Sequence, residues 1–470
     1  MIFASLEFLT LFFPLFLLAY ALSPAAWRNL TLLIFSWIFY AWWSPAFLWV
    51  LVSVTIVAWG TGLALGRTQQ ARMRKALVAL SITALAGLLA FYKYANLIVE
   101  SLIQPLFAAQ EHGFVWERLI LPIGISFIVL QAISYIVDVY RRTVHVERDF
   151  IAFAAYKAMF SQLIAGPIVR YSHVEKELHG RPFDVQHVAA GLRYFMIGLS
   201  MKVIIADTLA PLADACFAVP QPTLADAWLG ALTYGMQLFF DFAGYSAMAI
   251  GIGQMLGFRF PENFNAPYIS RSIQEFWRRW HMTLGSWLRD YLYIPLGGSR
   301  VAAWRVYLNL MLVMAISGLW HGADSLNFLL WGLLHGLAMV IQRFWERHGG
   351  PKLPALAAWA LTMTFVFSAW VLFRAPDLAT AWAMYQGQLG MHGYALSAEV
   401  AAVLRPVHVL TLALAAIAAT WPLWRERLDM ALPMPLLARD TLALWPVLAL
   451  FSATALMASR GASPFLYFQF

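Results

Sequence analysis

The chain has 470 residues, of which 61% are hydrophobic and only 12% charged, with 21 tryptophans and 34 phenylalanines. A soluble protein of this length needs far more charge, so the composition excludes one and leaves a polytopic membrane protein. The net charge of +8 comes with no basic soluble segment, which excludes a nucleic-acid face, and the one cysteine, Cys216, excludes an internal disulfide and a cysteine-based metal site.

The expected class is all-α, with membrane spans of about 20 apolar residues each. In chain order they fall at roughly 3–22, 29–46, 47–65, 76–96, 117–138, 151–169, 189–210, 227–257, 301–320, 325–342, 356–374, 407–423 and 441–459. The 227–257 stretch has room for a bent or divided helix, and half-helices are expected between about 97 and 116 and between about 265 and 298. Met1–Ser23 has no basic leader and no small-residue cleavage pattern, so it is expected to be a retained span. Without internal repeats or a soluble segment, 1–470 reads as one transmembrane domain that includes the aromatic tail 463–470. Basic clusters at Arg67/Arg72/Arg74/Lys75, Arg141/Arg142, Arg343/Arg347 and Arg425/Arg427 mark the cytoplasmic side. Counting spans from them places both termini outside and assigns the excess positive charge to topology and membrane lipids.

Three histidines and one carboxylate stand out against this apolar background. His321 lies in Ile316-Ser-Gly-Leu-Trp-His-Gly-Ala-Asp324, with apolar stretches on both sides, and an ionisable group inside a span is costly and marks a site. His335, fourteen residues on, would share a face with His321 about 21 Å away on one ideal helix; an interhelical hydrogen bond accounts for it. His281 closes Glu275-Phe-Trp-Arg-Arg-Trp-His281. An interfacial amphipathic helix explains the tryptophans, the arginines and a Glu275–Arg279 pair one turn apart, but it does not need the imidazole. Asp241, among phenylalanines in Gln237-Leu-Phe-Phe-Asp-Phe-Ala-Gly-Tyr245, must be paired or protonated. A metal site lacks its usual His-x-x-x-His spacing. A proton-coupled transporter would use such residues, usually within repeated halves. An intramembrane transferase would use a neutral imidazole as general base.

Several motifs in order resemble the membrane-bound O-acyltransferase (MBOAT) family, in particular its bacterial alginate O-acetylation branch. They are Ser36-Trp-Ile-Phe-Tyr-Ala-Trp-Trp43, Phe91-Tyr-Lys-Tyr-Ala-Asn96, Leu121-Pro-Ile-Gly-Ile-Ser-Phe127, Ser134-Tyr-Ile-Val-Asp-Val-Tyr140, Leu163-Ile-Ala-Gly-Pro167, Gly257-Phe-Arg-Phe-Pro-Glu-Asn-Phe264, Trp277-Arg-Arg-Trp-His281 and Leu319-Trp-His-Gly-Ala323. The resemblance implies a ring of tilted helices around a thin centre, with an inner funnel for an acyl donor and an outer funnel for a hydroxyl acceptor. It places His321 as the general base and His281 as the second active-site position. Arg278, Trp280, Trp320 and Asp241 become candidates for donor binding or support. The donor it implies is acetyl-CoA or another acyl thioester, with no tightly bound cofactor and no metal. One departure is visible: Ala243 and Ala247 stand where relatives carry serine and a second aspartate.

The tail Ser463-Pro-Phe-Leu-Tyr-Phe-Gln-Phe470 suits an aromatic anchor at the membrane–water interface. It is also similar to the Phe-x-Tyr-Phe ending of relatives, which implies Tyr467 as an acyl relay; a phenol ionises far more readily than an alcohol, at a pKa of about 10. The chain has no Gly-Asp-Ser segment and no large outer domain. The resemblance therefore implies hand-over of acetyl to a periplasmic SGNH-type acetyltransferase and other polysaccharide biosynthesis proteins at the bacterial inner membrane. The alternatives are a proton-coupled transporter, with His321 as relay, and a non-catalytic scaffold of export machinery.

Overall fold

The computed structural model describes residues 1–107, 116–322, 325–423, 444–461 and 463–466, and among them every regular element is helical. Among the described residues, six helices are long and apolar enough to cross a membrane: Pro45–Arg67, Ala71–Leu106, Val185–Ala218, Ala303–His321, Asn327–Arg347 and Ala355–Arg374. The chain divides into two compact units, Met1–Leu192 with Ala249–Pro261, and Arg193–Met248 with Glu262–Phe470.

In the first unit the sequence overestimates two spans. The helix expected from 117 begins only at Ile125 and runs to Arg141. Gly124 before it has φ of +73°, and a β-carbon there would collide with the Leu163 carbonyl, so the approach is open only to glycine. The 151–169 segment is not one span. Helix Phe150–Ala158 stops at Met159, whose ψ of 109° leaves the helical region, and only the single turn Phe160–Leu163 follows. Hydropathy misled here because the segment is buried in protein. Phe160, fully buried, packs edge-on against Phe12 and Phe16, while enclosed Lys157 donates to the Ile128 carbonyl at 2.7 Å.

The 227–257 expectation resolves as one unbroken helix, Leu224–Met255. Its 32 residues span about 48 Å at 1.5 Å per residue, so only part lies in a ~30 Å hydrocarbon layer unless the helix is inclined. The stretch Val185–Ala218 changes character midway, with a π-helical segment at Met201–Ala206 before helix Asp207–Ala218. Such wider turns are frequent at functional sites, and this one carries Lys202.

The half-helices expected within 265–298 are present as Ile273–Arg279 and Met282–Leu288. Ser272 caps the first by accepting the Glu275 amide at 3.1 Å, and the Glu275–Arg279 pair forms at 3.0 Å. Within 97–116, short π and 3-10 segments cover Val99–Phe107, and 108–115 lie outside the described residues.

Helices Ala303–His321 and Asn327–Arg347 form a tight hairpin. Gly318 and Gly332 face each other so closely that a β-carbon on either meets the other helix's backbone, at Phe328 and Met314 respectively. Small residues at a crossing let two backbones approach in this way.

Candidate active site

The hairpin overturns the expectation that separates His321 from His335. His321 ends one helix and His335 lies in the next, so the chain turns back between them. Their rings flank the same indole: Trp331 is 5.2 Å from His321 and 5.0 Å from His335 between centroids. The interhelical hydrogen bond expected of His335 is present, donated by Trp277 Nε1 to His335 Nδ1 at 3.3 Å.

His321 is 5% exposed. Trp320, Trp331 and Phe373 surround it with ring centroids at 4.9, 5.2 and 5.1 Å. Trp320 in turn lies 6.2 Å from the His281 ring, so both imidazoles neighbour the same indole.

His281 occupies the break between the two half-helices with φ of +43°. For a residue with a side chain this left-handed conformation costs of order 1–3 kcal/mol and needs compensation. Asn263 supplies it. The Met282 amide donates to the Asn263 carbonyl at 2.9 Å, and Asn263 Oδ1 bonds His281 Nδ1 at 3.0 Å. Thr283 Oγ1 donates to the same oxygen at 2.8 Å, and Asn263 Nδ2 donates to Ser246 at 3.0 Å. These contacts make Oδ1 the acceptor, so Nδ1 of His281 carries the proton and Nε2 the lone pair. Nε2 is buried and has no hydrogen-bond partner among the described residues. A neutral imidazole in this tautomer accepts at Nε2; it cannot donate there to a developing oxyanion.

Removing the Asn263 side chain should cost about 1–3 kcal/mol of orientation and pairing. Asn263→Ala is therefore expected to lower turnover by roughly 10–100-fold. Turnover of a purified, folded variant checks this.

Asp241 is paired, as its burial demands. Its carboxylate lies 2.7 Å from Lys202 Nζ, and Lys202 also binds Asp207 at 2.6 Å. All three sit in the second unit. Sequence reasoning missed Lys202, Asp207 and Asn263. Lys202 was detectable, being a charge inside an apolar stretch and thus as costly as His321; Asn263 was already within a quoted motif.

Arg278 lines a cavity of about 510 Å³ together with Trp277, Met282, Arg289, Tyr293 and Arg343. Arg289 pairs with Asp290 at 2.7 Å, while no carboxylate pairs with Arg278 or Arg343 among the described residues. Trp280 lies elsewhere. It is 2% exposed and packed against Phe276, Phe264 and Trp370, so it shapes the core beneath the half-helices. No group of three or more metal-ligating side chains occurs among the described residues. Tyr467 lies outside the described residues.

Residues 138–379 match the model of the membrane-bound O-acyltransferase family. The chain is 42% identical over its whole length to a full-length relative named probable alginate O-acetylase AlgI from Azotobacter vinelandii. It is 46% identical to the protein of that name from Pseudomonas aeruginosa, across 88% of this chain and 80% of the relative. A peptidoglycan O-acetyltransferase from Helicobacter pylori is 36% identical across 83% of this chain and 80% of its own.

Proposed function

The chain belongs to the membrane-bound O-acyltransferase family and is a multi-pass membrane O-acetyltransferase; on that premise we propose that it carries acetyl from a cytoplasmic acyl thioester to the outer face, for O-acetylation of an alginate-like exopolysaccharide. The observation that carries this reading is the pair of buried imidazoles that both neighbour Trp320, with the His281 lone pair held ready by Asn263.

His321 takes the proton of an attacking hydroxyl, because a neutral alcohol or phenol is a weak nucleophile. The oxygen bonds to the thioester carbonyl carbon, the C–S bond breaks, and the thiol departs with the proton. His281, an acceptor at Nε2, orients the donor by taking a hydrogen bond from an amide of its pantetheine arm. Oxyanion stabilisation falls to a donor other than His281. The Arg278 and Arg343 guanidiniums suit the phosphates of acetyl-CoA or a related thioester.

The first acceptor is the Tyr467 phenol, and the tyrosyl ester then passes acetyl to a periplasmic SGNH-type transferase. This places the protein in the bacterial inner membrane with both termini outside. Incubation of the purified protein with acetyl-CoA, followed by mass spectrometry of the C-terminal peptide, is expected to find acetyl on Tyr467. Tyr467→Phe keeps the aromatic ring and should lower polymer acetylation at least 100-fold, as expected when the nucleophile itself is deleted. Full activity of that variant would leave the tail as an anchor only.

A further inference from the structure

The described part of the tail is held through its backbone and one buried ring, in a slot of the second unit. We infer that this slot is a binding site for the segment Pro464–Leu466, with Lys202 and Asp241 as positioning residues that deliver Tyr467; the delivery rests on the relay proposed above.

Three contacts define the slot. The Leu466 amide donates to Asp241 Oδ2 at 2.9 Å, and Lys202 Nζ donates to the Pro464 carbonyl at 3.3 Å. Between them Phe465 is 2% exposed, stacked on Tyr245 at 4.8 Å and 29° and lying 5.6 Å from Phe242. Upstream, Arg460 donates to Thr208 at 3.1 Å and fixes the stem of the tail. Lys202 and Asp241 thus supply a donor and an acceptor to the backbone of the tail, while the Phe465 ring between those two bonds inserts among aromatic side chains.

A buried lysine–aspartate pair, with the partly buried Asp207 beside it, is an expensive way to hold an aromatic tail. Desolvation costs several kcal/mol per ion, and a polar cluster of this kind contributes specificity more than stability. An interfacial anchor needs only aromatic surface and reads no backbone. Asp241 Oδ1 faces Lys202 while its Oδ2 takes the Leu466 N–H, so one carboxyl group serves both partners. The slot also lies one ring from the site: Phe242 touches Phe465 on one side and the His281 ring, 4.7 Å away, on the other. Tyr467 follows Leu466 directly in sequence, so the latch fixes the backbone at the residue before the proposed nucleophile.

The test uses the full-length protein in nanodiscs with 4-fluorophenylalanine at position 465, read by fluorine NMR. The parent should show a resonance shifted by the stacked Tyr245 ring. Leu466→Pro deletes the donated N–H, lies outside the membrane helices, and should move more than half of the intensity to the solvent position. Leu466→Ala keeps the N–H and should keep most of the shifted signal, with acetyl transfer at least tenfold above the proline variant. Asp241→Leu removes the accepting oxygen and, if it folds, should behave like Leu466→Pro. A parent resonance at the solvent position, or one that Leu466→Pro does not move, overturns the slot. An apolar anchor would instead respond at least as strongly to Leu466→Ala. A fully active Tyr467→Phe with the shifted resonance intact overturns the delivery of Tyr467 and the relay, and leaves the slot standing.

Discussion

Replacing His321 by alanine is expected to lower acetyl transfer by about 10²–10⁴-fold, the usual worth of general-base help. The imidazole is the last residue of its helix and is walled by three aromatic rings that belong to other positions. Those walls survive the substitution, so helical content and yield should hold. His321→Gln adds a control of similar bulk, which retains a polar side chain but cannot take a proton at neutral pH. Both variants should lose turnover to a similar extent, with the KM for the thioester within a few-fold of the parent, because the lost interaction belongs to the transition state. The measurement is single-turnover acetyl transfer from acetyl-CoA by purified protein. Activity above a tenth of the parent in either variant would remove His321 as the base.

The second large effect concerns the hairpin that brings His321 to Trp331. Gly332→Val places a branched side chain against the Met314 backbone carbonyl, with the Gly318 Cα close by. A clash with backbone is not relieved by rotating a side chain, so the helices must separate. The cost lies at or above the upper end of the ~1–3 kcal/mol typical of overpacking. The expected result is a marked loss of folded, monodisperse protein, a lower thermal midpoint by tryptophan fluorescence, and acetyl transfer near background. Gly87 is the control. A β-carbon there meets nothing within 4 Å, and alanine is the better helix former, by about 1 kcal/mol, so Gly87→Ala should match or exceed the parent. Equal stability of the two variants would mean that the Gly318–Gly332 crossing does not hold the hairpin.

Residues that contradict their surroundings were the ones the sequence singled out. His321, His281 and Asp241 are polar groups in apolar company, and the cost of burying them made them visible without a structure. The expected pairing of Asp241 is present as its bond to Lys202, although the partner was not foreseen. For Trp280 the sequence left donor binding and support open, and its ring lies in the packed core, which fits support. A motif reports that a residue matters and leaves open whether it touches a ligand or supports the wall behind one. Segment 151–169 failed for a related reason. Hydropathy measures preference for an apolar environment, and the interior of a protein satisfies that preference as well as lipid does.

By itself the sequence determined the class of solvent, the helical composition and the identity of the expensive residues, because each depends on local chemistry: apolar run length, charge and the cost of burial. Only the tertiary structure decided which of those residues meet. His321 and His335 share Trp331 because a hairpin reverses the chain. His281 has its lone pair at Nε2 because Asn263, eighteen positions away, takes the other nitrogen. Leu466 reaches Asp241 across 225 positions of chain. Contacts of that length carry no periodic signature in the chain, and they form only when the packing of whole helices has fixed where each side chain and each backbone amide can go.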